Sequence, residues 1–226
     1  MAYRLLKAFL MPILTLLFRP KVSGLAHVPH TGAVIIASNH LSFSDSIFMP
    51  LVVSRKVTFL AKQEYFTSPG LKGFLKKITF HALGQVPVDR SGGRASEAAV
   101  LTGVRLLNAG HCIGIYPEGT RSPDGKLYRG RTGIARLAIE SGATVIPVAM
   151  KNTEKIQPPG KMIPKIARVS IFFGEPMHFA GDATDPFTLR EATDKIMRAI
   201  GQMSGQEYVD IYASRAKEIL REDEDE

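Results

Sequence analysis

Residues 33–40 of the chain read AVIIASNH, an apolar burst that ends in a serine, an asparagine and a histidine. The burst is short and rich in β-branched residues, so it predicts a buried β-strand over Ala33–Ala37. In α/β proteins, ligands bind outside the carboxyl ends of the strands. His40 therefore lies at the edge of the sheet where we expect a functional site.

Similar bursts, bounded by Gly or Pro, predict further strands of the same sheet. They cover Val57–Ala61, Val86–Val88, Ile113–Tyr116, Val145–Met150 and Val169–Phe173. Segments with helical spacing of apolar residues alternate with them, at Ala95–Leu107, Thr132–Ile139, Leu189–Met203 and Tyr208–Leu220. This alternation favours a single α/β domain with a mostly parallel or mixed central sheet flanked by helices. Pro147, inside one predicted strand, indicates a bulge or an edge position there.

The composition narrows the class of protein. A length of 226 residues with 45% hydrophobic residues fits one globular domain, and excludes a disordered tail protein and a polytopic membrane protein. One cysteine excludes a disulfide framework and suggests a reducing compartment. The net charge is +8, but residues 221–226 carry −4, which leaves +12 on residues 1–220. Such a basic body predicts an anionic partner, whereas the acidic end is predicted to be solvated and disordered.

Residues 1–20 read MAYRLLKAFLMPILTLLFRP, an apolar run with basic flanks. The run is shorter than the ~20 apolar residues that cross a bilayer. We interpret it as an interfacial helix that lies in the plane of an anionic membrane surface. A buried core helix is the main alternative. A signal peptide is disfavoured, because Arg19, Pro20 and Lys21 follow the run where a cleavage site would have small residues.

His40 and Asp45 have a spacing that suits acid–base chemistry. A helix that begins near Ser44 would place Asp45 in its first turn, from which the carboxylate can reach the imidazole. Such a carboxylate fixes the tautomer of the ring and stabilises the imidazolium that forms when the ring takes a proton. The spacing alone is a weak signal, with roughly 0.3 chance occurrences per chain of this composition. Asp45 would otherwise be an acid at a helix N-terminus.

Two further segments follow predicted strands. Residues 116–122 read YPEGTRS, in which Pro and Gly favour a tight turn whose amides can converge on an anion, and Arg121 offers a planar guanidinium for phosphate. An ordinary turn is the alternative interpretation. Residues 84–90 read GQVPVDR, so Arg90 follows a predicted strand and is expected at the same sheet edge as His40 and Arg121. An ordinary buried strand is the alternative interpretation.

Together these segments resemble the four ordered sequence blocks of the glycerolipid acyltransferases. The blocks are His40-x4-Asp45, Gly84–Arg90, Tyr116–Ser122 and Val145–Val148. Within this family the chain looks most like the bacterial 1-acyl-sn-glycerol-3-phosphate acyltransferases, and the resemblance covers about residues 20–175. The chain departs from the family pattern at Tyr116, where Phe is usual, and at Pro87, which interrupts a more apolar stretch.

The resemblance implies the transfer of an acyl group from acyl-CoA or acyl carrier protein to a free hydroxyl of a lysophospholipid. His40 is the implied general base and Asp45 the carboxylate that orients it. The implied substrate-binding residues are Glu118, Gly119, Thr120, Arg121, Arg90 and Lys62. Glu118 has two alternatives: a place in the acceptor site, or a structural role in the turn.

The leading interpretation is that 1-acyl-sn-glycerol-3-phosphate is acylated at its sn-2 hydroxyl to give phosphatidate. Another lysophospholipid, a lyso-aminolipid or a glycolipid acceptor is the first alternative, and a non-catalytic basic module that binds membrane or nucleic acid is a remote one. Nucleic acid is disfavoured because the chain has no Trp and its other aromatic residues follow apolar patterns. No metal or organic cofactor is implied beyond the co-substrate. Cys112 is predicted to be a small buried apolar residue.

The predicted organisation has three parts. Residues 1–25 form a membrane-associating helix, 26–204 the acyltransferase domain, and 205–226 a C-terminal helix with an acidic tail. A second basic amphipathic segment contains Lys72, Lys76 and Lys77; it either lies on headgroups or forms a solvated face. The expected location is the cell membrane, with peripheral or monotopic attachment on the cytoplasmic face.

Overall fold

A computed structural model of the chain describes residues 2–67, 70, 73, 78, 84–88, 95–156 and 165–224. Within them the α-helices are α1 Ala2–Phe18, α2 Asp45–Val52, α3 Glu64–Thr67, α4 Ala95–Asn108, α5 Gly133–Ser141, α6 Thr153–Ile156, α7 Pro186–Ser204 and α8 Ala213–Glu224. The strands are β1 Lys21–Ser23, β2 Val34–Ser38, β3 Val57–Lys62, β4 Val86–Val88, β5 Cys112–Ile115, β6 Leu127–Tyr128, β7 Thr144–Lys151, β8 Ser170–Phe173 and β9 Tyr208–Val209.

The central sheet has the strand order β1-β8-β7-β2-β5-β3-β4 in the described part of the chain. Each pair of neighbours is parallel except β7 and β8, which are antiparallel. The predicted α/β fold with a mostly parallel sheet is confirmed. β2 lies in the middle, between β7 and β5, and all five of its residues are buried. A strand covered on both faces needs apolar side chains on both, which explains the continuous VIIA run.

The side chains of β2 alternate between two apolar layers, as the period of a strand requires. Val34 and Ile36 face a layer that includes Phe48 of α2, whereas Ile35 and Ala37 face the layer built on helices α4, α5 and α7. Helices therefore cover both faces of the sheet. The carboxyl ends of β2, β5 and β3 lie beside one another, and the segments that follow them carry the predicted site residues.

Pro147 lies in an interior strand, so of the two predicted alternatives the edge position is wrong and the bulge is confirmed. β7 pairs with β2 on one side and with β8 on the other. The ladder with β8 ends at Val148 and resumes at the bridge between Val145 and Met177, one residue out of register. Gly174 N donates to Pro147 O at 2.8 Å, so the backbone of Pro147 faces β8 at the point where the ladder is irregular. The backbone nitrogen of the proline, which has no hydrogen, therefore lies where the regular pairing is interrupted. The bulge lets an interior strand accommodate a residue that cannot donate.

The C-terminal segment also differs from the prediction. Tyr208 and Val209 form β9, which pairs with β6, and the helix predicted from Tyr208 begins only at Ala213. The expectation of a disordered acidic end is wrong through Glu224, because α8 extends to that residue. Glu222 Oε1 lies 3.7 Å from Arg215 Nη1 on the same helix, so the positive charge of Arg215 partly offsets the negative charge of the acidic end.

Helix α1 packs on the domain along one side only. Phe18 is buried and meets the ring of Phe48 edge to face, with the centroids 5.1 Å apart. Near the other end of the helix, Tyr3 Oη and Lys7 Nζ donate to the carbonyl oxygen of Pro50, each at 3.3 Å. The other side exposes large apolar side chains: Leu5, Phe9, Met11, Ile13, Leu16 and Leu17. Among the described residues, no helix has both the length and the apolar character needed to cross a membrane.

We expect Phe18→Ala to lower the free energy of unfolding by about 3–5 kcal/mol, because it opens a cavity between α1 and α2. Leu16→Ala is the matched control, since Leu16 is 74% exposed and Phe18 only 8%. The control should change stability by no more than about 0.5 kcal/mol. Equilibrium urea unfolding measures both values, and similar values for the two variants would contradict the docking of α1.

Candidate active site

His40 and Asp45 are joined by a direct hydrogen bond. His40 follows β2 and Asp45 is the first residue of α2, so the short loop between them turns back on itself. His40 Nδ1 lies 2.9 Å from Asp45 Oδ2, and the same oxygen accepts from Leu41 N at 2.7 Å and Ser42 N at 2.8 Å. A carboxylate partner fixes the proton on Nδ1, which leaves the lone pair of the ring on Nε2. The pair has the geometry of a general base and its orienting acid.

The ring of Tyr116 stacks on the imidazole of His40. The two centroids are 3.8 Å apart and the planes differ by 8°. Tyr116 Oη lies 2.9 Å from Ser46 Oγ in α2, and burial raises the pKa of the phenol well above its usual value. A phenylalanine at this position could stack but could not make the bond to α2. The sequence marked Tyr116 as a departure from the family pattern without indicating this contact.

Glu118 holds the backbone of His40 in place. Its carboxylate is fully buried and accepts from His40 N at 3.0 Å and from Tyr128 N at 2.9 Å. Ser122 N donates to His40 O at 2.7 Å. The turn therefore makes hydrogen bonds with both the N–H and the C=O group of His40. Burial raises the pKa of Glu118 to about 7, although the two backbone donors oppose the shift. These contacts favour the structural alternative for Glu118.

The remaining residues of the turn meet cations from elsewhere in the chain. Gly119 has φ +77°, and a Cβ on it would lie 2.8 Å from Arg131 Nε, so another residue would strain the backbone and displace the Arg131 side chain. The close neighbour of this glycine is thus the Arg131 side chain. Thr120 Oγ1 accepts from Lys217 Nζ at 2.6 Å, and Arg121 is exposed. Sequence reasoning missed both Arg131 and Lys217.

Two predicted cations cannot be compared with this geometry. Lys62 ends β3, with its backbone paired to Val88, but its side chain lies outside the described part of the structure. Arg90 lies outside the described residues, as do Lys72, Lys76 and Lys77. The structure thus brings together His40, Asp45 and residues 118–121.

Asn39 and Cys112 have structural surroundings. Asn39 Oδ1 accepts from Met150 N at 2.7 Å and its Nδ2 donates to Met150 O at 2.9 Å, which ties β2 to β7. Cys112 is buried at the start of β5, and burial raises the pKa of its thiol to about 12, so it stays protonated at neutral pH. In the ranges that the structure describes, no group of three or more His, Cys, Asp or Glu side chains is arranged to hold a metal ion.

The fold and the site together define a class of protein. A histidine–carboxylate pair at the carboxyl edge of an α/β sheet, beside a turn contacted by cations, suits an enzyme that removes a proton from a hydroxyl group near an anionic group. The comparison with known families agrees, since a family model described as Acyltransferase matches residues 19–151. The chain belongs to the acyltransferase family and is an acyltransferase. The alternative of a non-catalytic binding module is therefore wrong.

Several relatives are named 1-acyl-sn-glycerol-3-phosphate acyltransferase. The protein of that name from Bacillus subtilis is 32% identical over 176 residues, which cover 77% of this chain and 81% of the relative. A chloroplastic one from Arabidopsis thaliana is 29% identical over 185 residues, but these cover 81% of this chain and 49% of the relative. The resemblance recognised in the sequence blocks is confirmed.

A solved structure has the same fold. The crystal structure of the 1-acyl-sn-glycerophosphate acyltransferase from Thermotoga maritima matches with a TM-score of 0.63 and 23% identity. The match covers 87% of this chain and 80% of that one. The α/β fold is thus shared over most of both chains.

The buried carboxyl of Glu118 predicts a specific pH dependence of stability. Its pKa rises from 4.5 to about 7 on folding, so folding takes up a proton between these values. The stabilising contribution is present below about pH 4.5 and is lost as the pH rises to about 7. Relative to Glu118→Gln, which cannot titrate, the unfolding free energy of the wild type should fall by up to about 3 kcal/mol across this range.

Urea unfolding at a series of pH values measures this difference. The same substitution at the exposed Glu97 is the control and should leave the pH dependence of stability unchanged. A difference between wild type and Glu118→Gln that stays constant from pH 4.5 to 7 would contradict the raised pKa of Glu118.

Proposed function

We propose that the protein transfers a fatty acyl group from acyl-CoA or acyl carrier protein to the sn-2 hydroxyl of 1-acyl-sn-glycerol-3-phosphate, which gives phosphatidate. The observation that carries this proposal is the hydrogen bond between His40 Nδ1 and Asp45 Oδ2, which leaves Nε2 free to accept a proton. The names of the relatives support the choice of acceptor. The product places the enzyme in phospholipid biosynthesis.

In the proposed mechanism His40 Nε2 removes the proton of the acceptor hydroxyl as its oxygen attacks the thioester carbonyl. An alcohol is a poor nucleophile at neutral pH, so this proton transfer is needed in the transition state. The carboxylate of Asp45 stabilises the imidazolium that forms. When the C–S bond breaks, the imidazolium returns the proton to the departing thiolate. The reaction uses neither a covalent acyl-enzyme nor a metal or organic cofactor.

The acceptor phosphate is proposed to bind at the turn of residues 118–121, with Arg121 as its main ligand and with Arg90 and Lys62 as further cations. A guanidinium binds two phosphate oxygens at once, which fixes the position of the hydroxyl relative to His40. Another lysophospholipid, a lyso-aminolipid or a glycolipid remains the alternative acceptor. A panel of these acceptors, assayed by release of the CoA thiol, distinguishes them.

We further propose that the protein binds the cytoplasmic face of the cell membrane in a peripheral or monotopic manner. The outer side of α1 exposes apolar side chains, including Leu5, Phe9 and Leu16, while its other side packs on α2. An amphipathic helix with this arrangement can bury its free side among acyl chains next to an anionic headgroup layer. The membrane would then deliver the lysolipid directly to the acyltransferase domain.

Replacing His40 with alanine should reduce turnover about a hundred- to ten-thousandfold, the usual contribution of a general base. His178→Ala is the matched control, because His178 is exposed and follows Met177, which pairs with Val145 near the start of β7, whereas His40 follows the carboxyl end of β2. The assay follows release of the CoA thiol, and thermal unfolding checks that both variants are folded. If thioester consumption with the lyso-acceptor persists in His40→Ala, the assignment of His40 as the base is wrong.

The triple variant Leu5→Glu, Phe9→Glu and Leu16→Glu should weaken membrane binding at least about tenfold, because it removes three apolar side chains from the proposed interface. Flotation with vesicles of phosphatidylcholine and phosphatidylglycerol measures the bound fraction. Phe187→Glu is the control, since Phe187 is 85% exposed but lies at the start of α7. Equal flotation of the triple variant and the wild type would exclude α1 as the membrane contact.

A further inference from the structure

We propose that helix α8 completes the phosphate site: Lys217, assisted by Arg221, binds the phosphomonoester of the acceptor together with Arg121. Because none of the carboxylates that the structure describes pairs with these cations, the site selects a doubly charged headgroup over a zwitterionic one. The inference rests on the proposed function and adds a basis for the choice of acceptor.

The first observation is that Lys217 contacts the active-site turn. Its Nζ donates to Thr120 Oγ1 at 2.6 Å, next to Arg121 in the chain. The same turn holds His40 through Glu118 Oε1 at one backbone group and through Ser122 N at the other. The ammonium group thus lies on the segment that positions the base. An ammonium has three donors and Thr120 takes one, so donors remain for ligand oxygens.

The second observation is the charge around Lys217. Among the side chains that the structure describes, which do not include that of Glu224, no carboxylate oxygen lies within 4.0 Å of a side-chain nitrogen of Arg121, Lys217 or Arg221. Burial lowers the pKa of Lys217, and the positive charges of Arg121 and Arg221 lower it further. Glu118 acts in the opposite direction, but its carboxylate is buried and already accepts two backbone N–H groups. A bound anion would relieve this repulsion.

The third observation is that α8 is held in place by other contacts. Ala213 and Ala216 are buried against Tyr128, and Arg131 Nη2 donates to Ser214 Oγ at 3.2 Å. Just before the helix, Arg129 N donates to Ile211 O at 3.0 Å. The charge of Lys217 is therefore not needed to dock the helix, and its removal should leave the fold intact.

These charges distinguish between headgroups. A phosphomonoester carries about −1.5 to −2 charges at neutral pH and presents three terminal oxygens, which three separate cations can contact. A phosphocholine diester carries one negative charge and a quaternary ammonium group. Cations without carboxylate partners repel that ammonium group. They also meet only one negative charge on the diester, whereas the phosphomonoester offers them nearly two. The cluster of Arg121, Lys217 and Arg221 therefore fits 1-acyl-sn-glycerol-3-phosphate better than lysophosphatidylcholine.

The test compares Lys217→Gln with Arg215→Gln, which removes the same charge from the same helix. Arg215 is already paired, at 3.1 Å with Glu218 and at 3.7 Å with Glu222. Steady-state assays with saturating palmitoyl-CoA give kcat and KM for 1-acyl-sn-glycerol-3-phosphate and for lysophosphatidylcholine. Lys217→Gln should raise KM for the phosphomonoester about tenfold or more, the value of one charge-assisted hydrogen bond. Arg215→Gln should change neither constant, and Lys217→Arg should restore most of the affinity.

A purely structural role for Lys217 predicts a different result. In that case Lys217→Gln would lower the melting temperature and would reduce turnover of both acceptors by the same factor. The proposed role predicts an unchanged melting temperature and a loss confined to the phosphomonoester. Inorganic phosphate should also inhibit the wild type more strongly than Lys217→Gln. Equal inhibition of the two proteins would overturn the inference.

The phosphates of CoA have the same chemistry and are tested separately. With an acyl-N-acetylcysteamine donor, which has no phosphate, the rise in acceptor KM should persist. If Lys217→Gln instead raises KM only for acyl-CoA, the cluster serves the donor and the inference is wrong. Failure of the proposed function is distinguishable, because the wild type would then not acylate 1-acyl-sn-glycerol-3-phosphate. A wild type that does so, with an unchanged KM in Lys217→Gln, contradicts the inference alone.

Discussion

A single carboxylate oxygen organises the active site. Asp45 Oδ2 accepts hydrogen bonds from the ring of His40 and from the backbone N–H groups of Leu41 and Ser42. The oxygen therefore orients the imidazole and also closes the loop that carries it. Because Asp45 is fully buried, three donors at one oxygen are what makes a charge there tolerable. The same oxygen therefore fixes the positions of the loop of residues 40–44, the first turn of α2 and the imidazole ring relative to one another.

The turn of residues 116–122 supports the same histidine from the neighbouring strand. Tyr116 covers the ring, while Glu118 and Ser122 hold the backbone N–H and C=O groups of His40. This short segment also carries Arg121, the proposed phosphate ligand. The proposed base, His40, and the proposed phosphate ligand, Arg121, are thus connected through one short segment. Such a connection limits the relative motion of the two groups, which favours a reactive arrangement of the substrates.

The sequence predicted what is local and missed what depends on distant partners. The interior strands of the central sheet could be predicted because burial on both faces leaves a continuous apolar run, as in β2. The pairing of His40 with Asp45 could be predicted because only five residues separate them. β9 and the start of α8 could not be predicted from the sequence, because β9 pairs with β6, a strand about eighty residues earlier in the chain. Likewise, Lys217 meets Thr120 across 97 residues, and Glu118 meets the backbone of His40 across 78.

The position of β2 in the sheet also has a consequence for folding. Val34 pairs with Cys112 on one side and with Thr144 on the other, so the middle strand must wait for two segments that are made much later. Contacts of such long range slow folding, since the chain loses entropy before the contacts form. Until then, an apolar VIIA segment is exposed with free backbone groups, a template for pairing between chains. The arrangement that places His40 at the centre of the sheet thus leaves its strand unpaired until β5 and β7 have been synthesised.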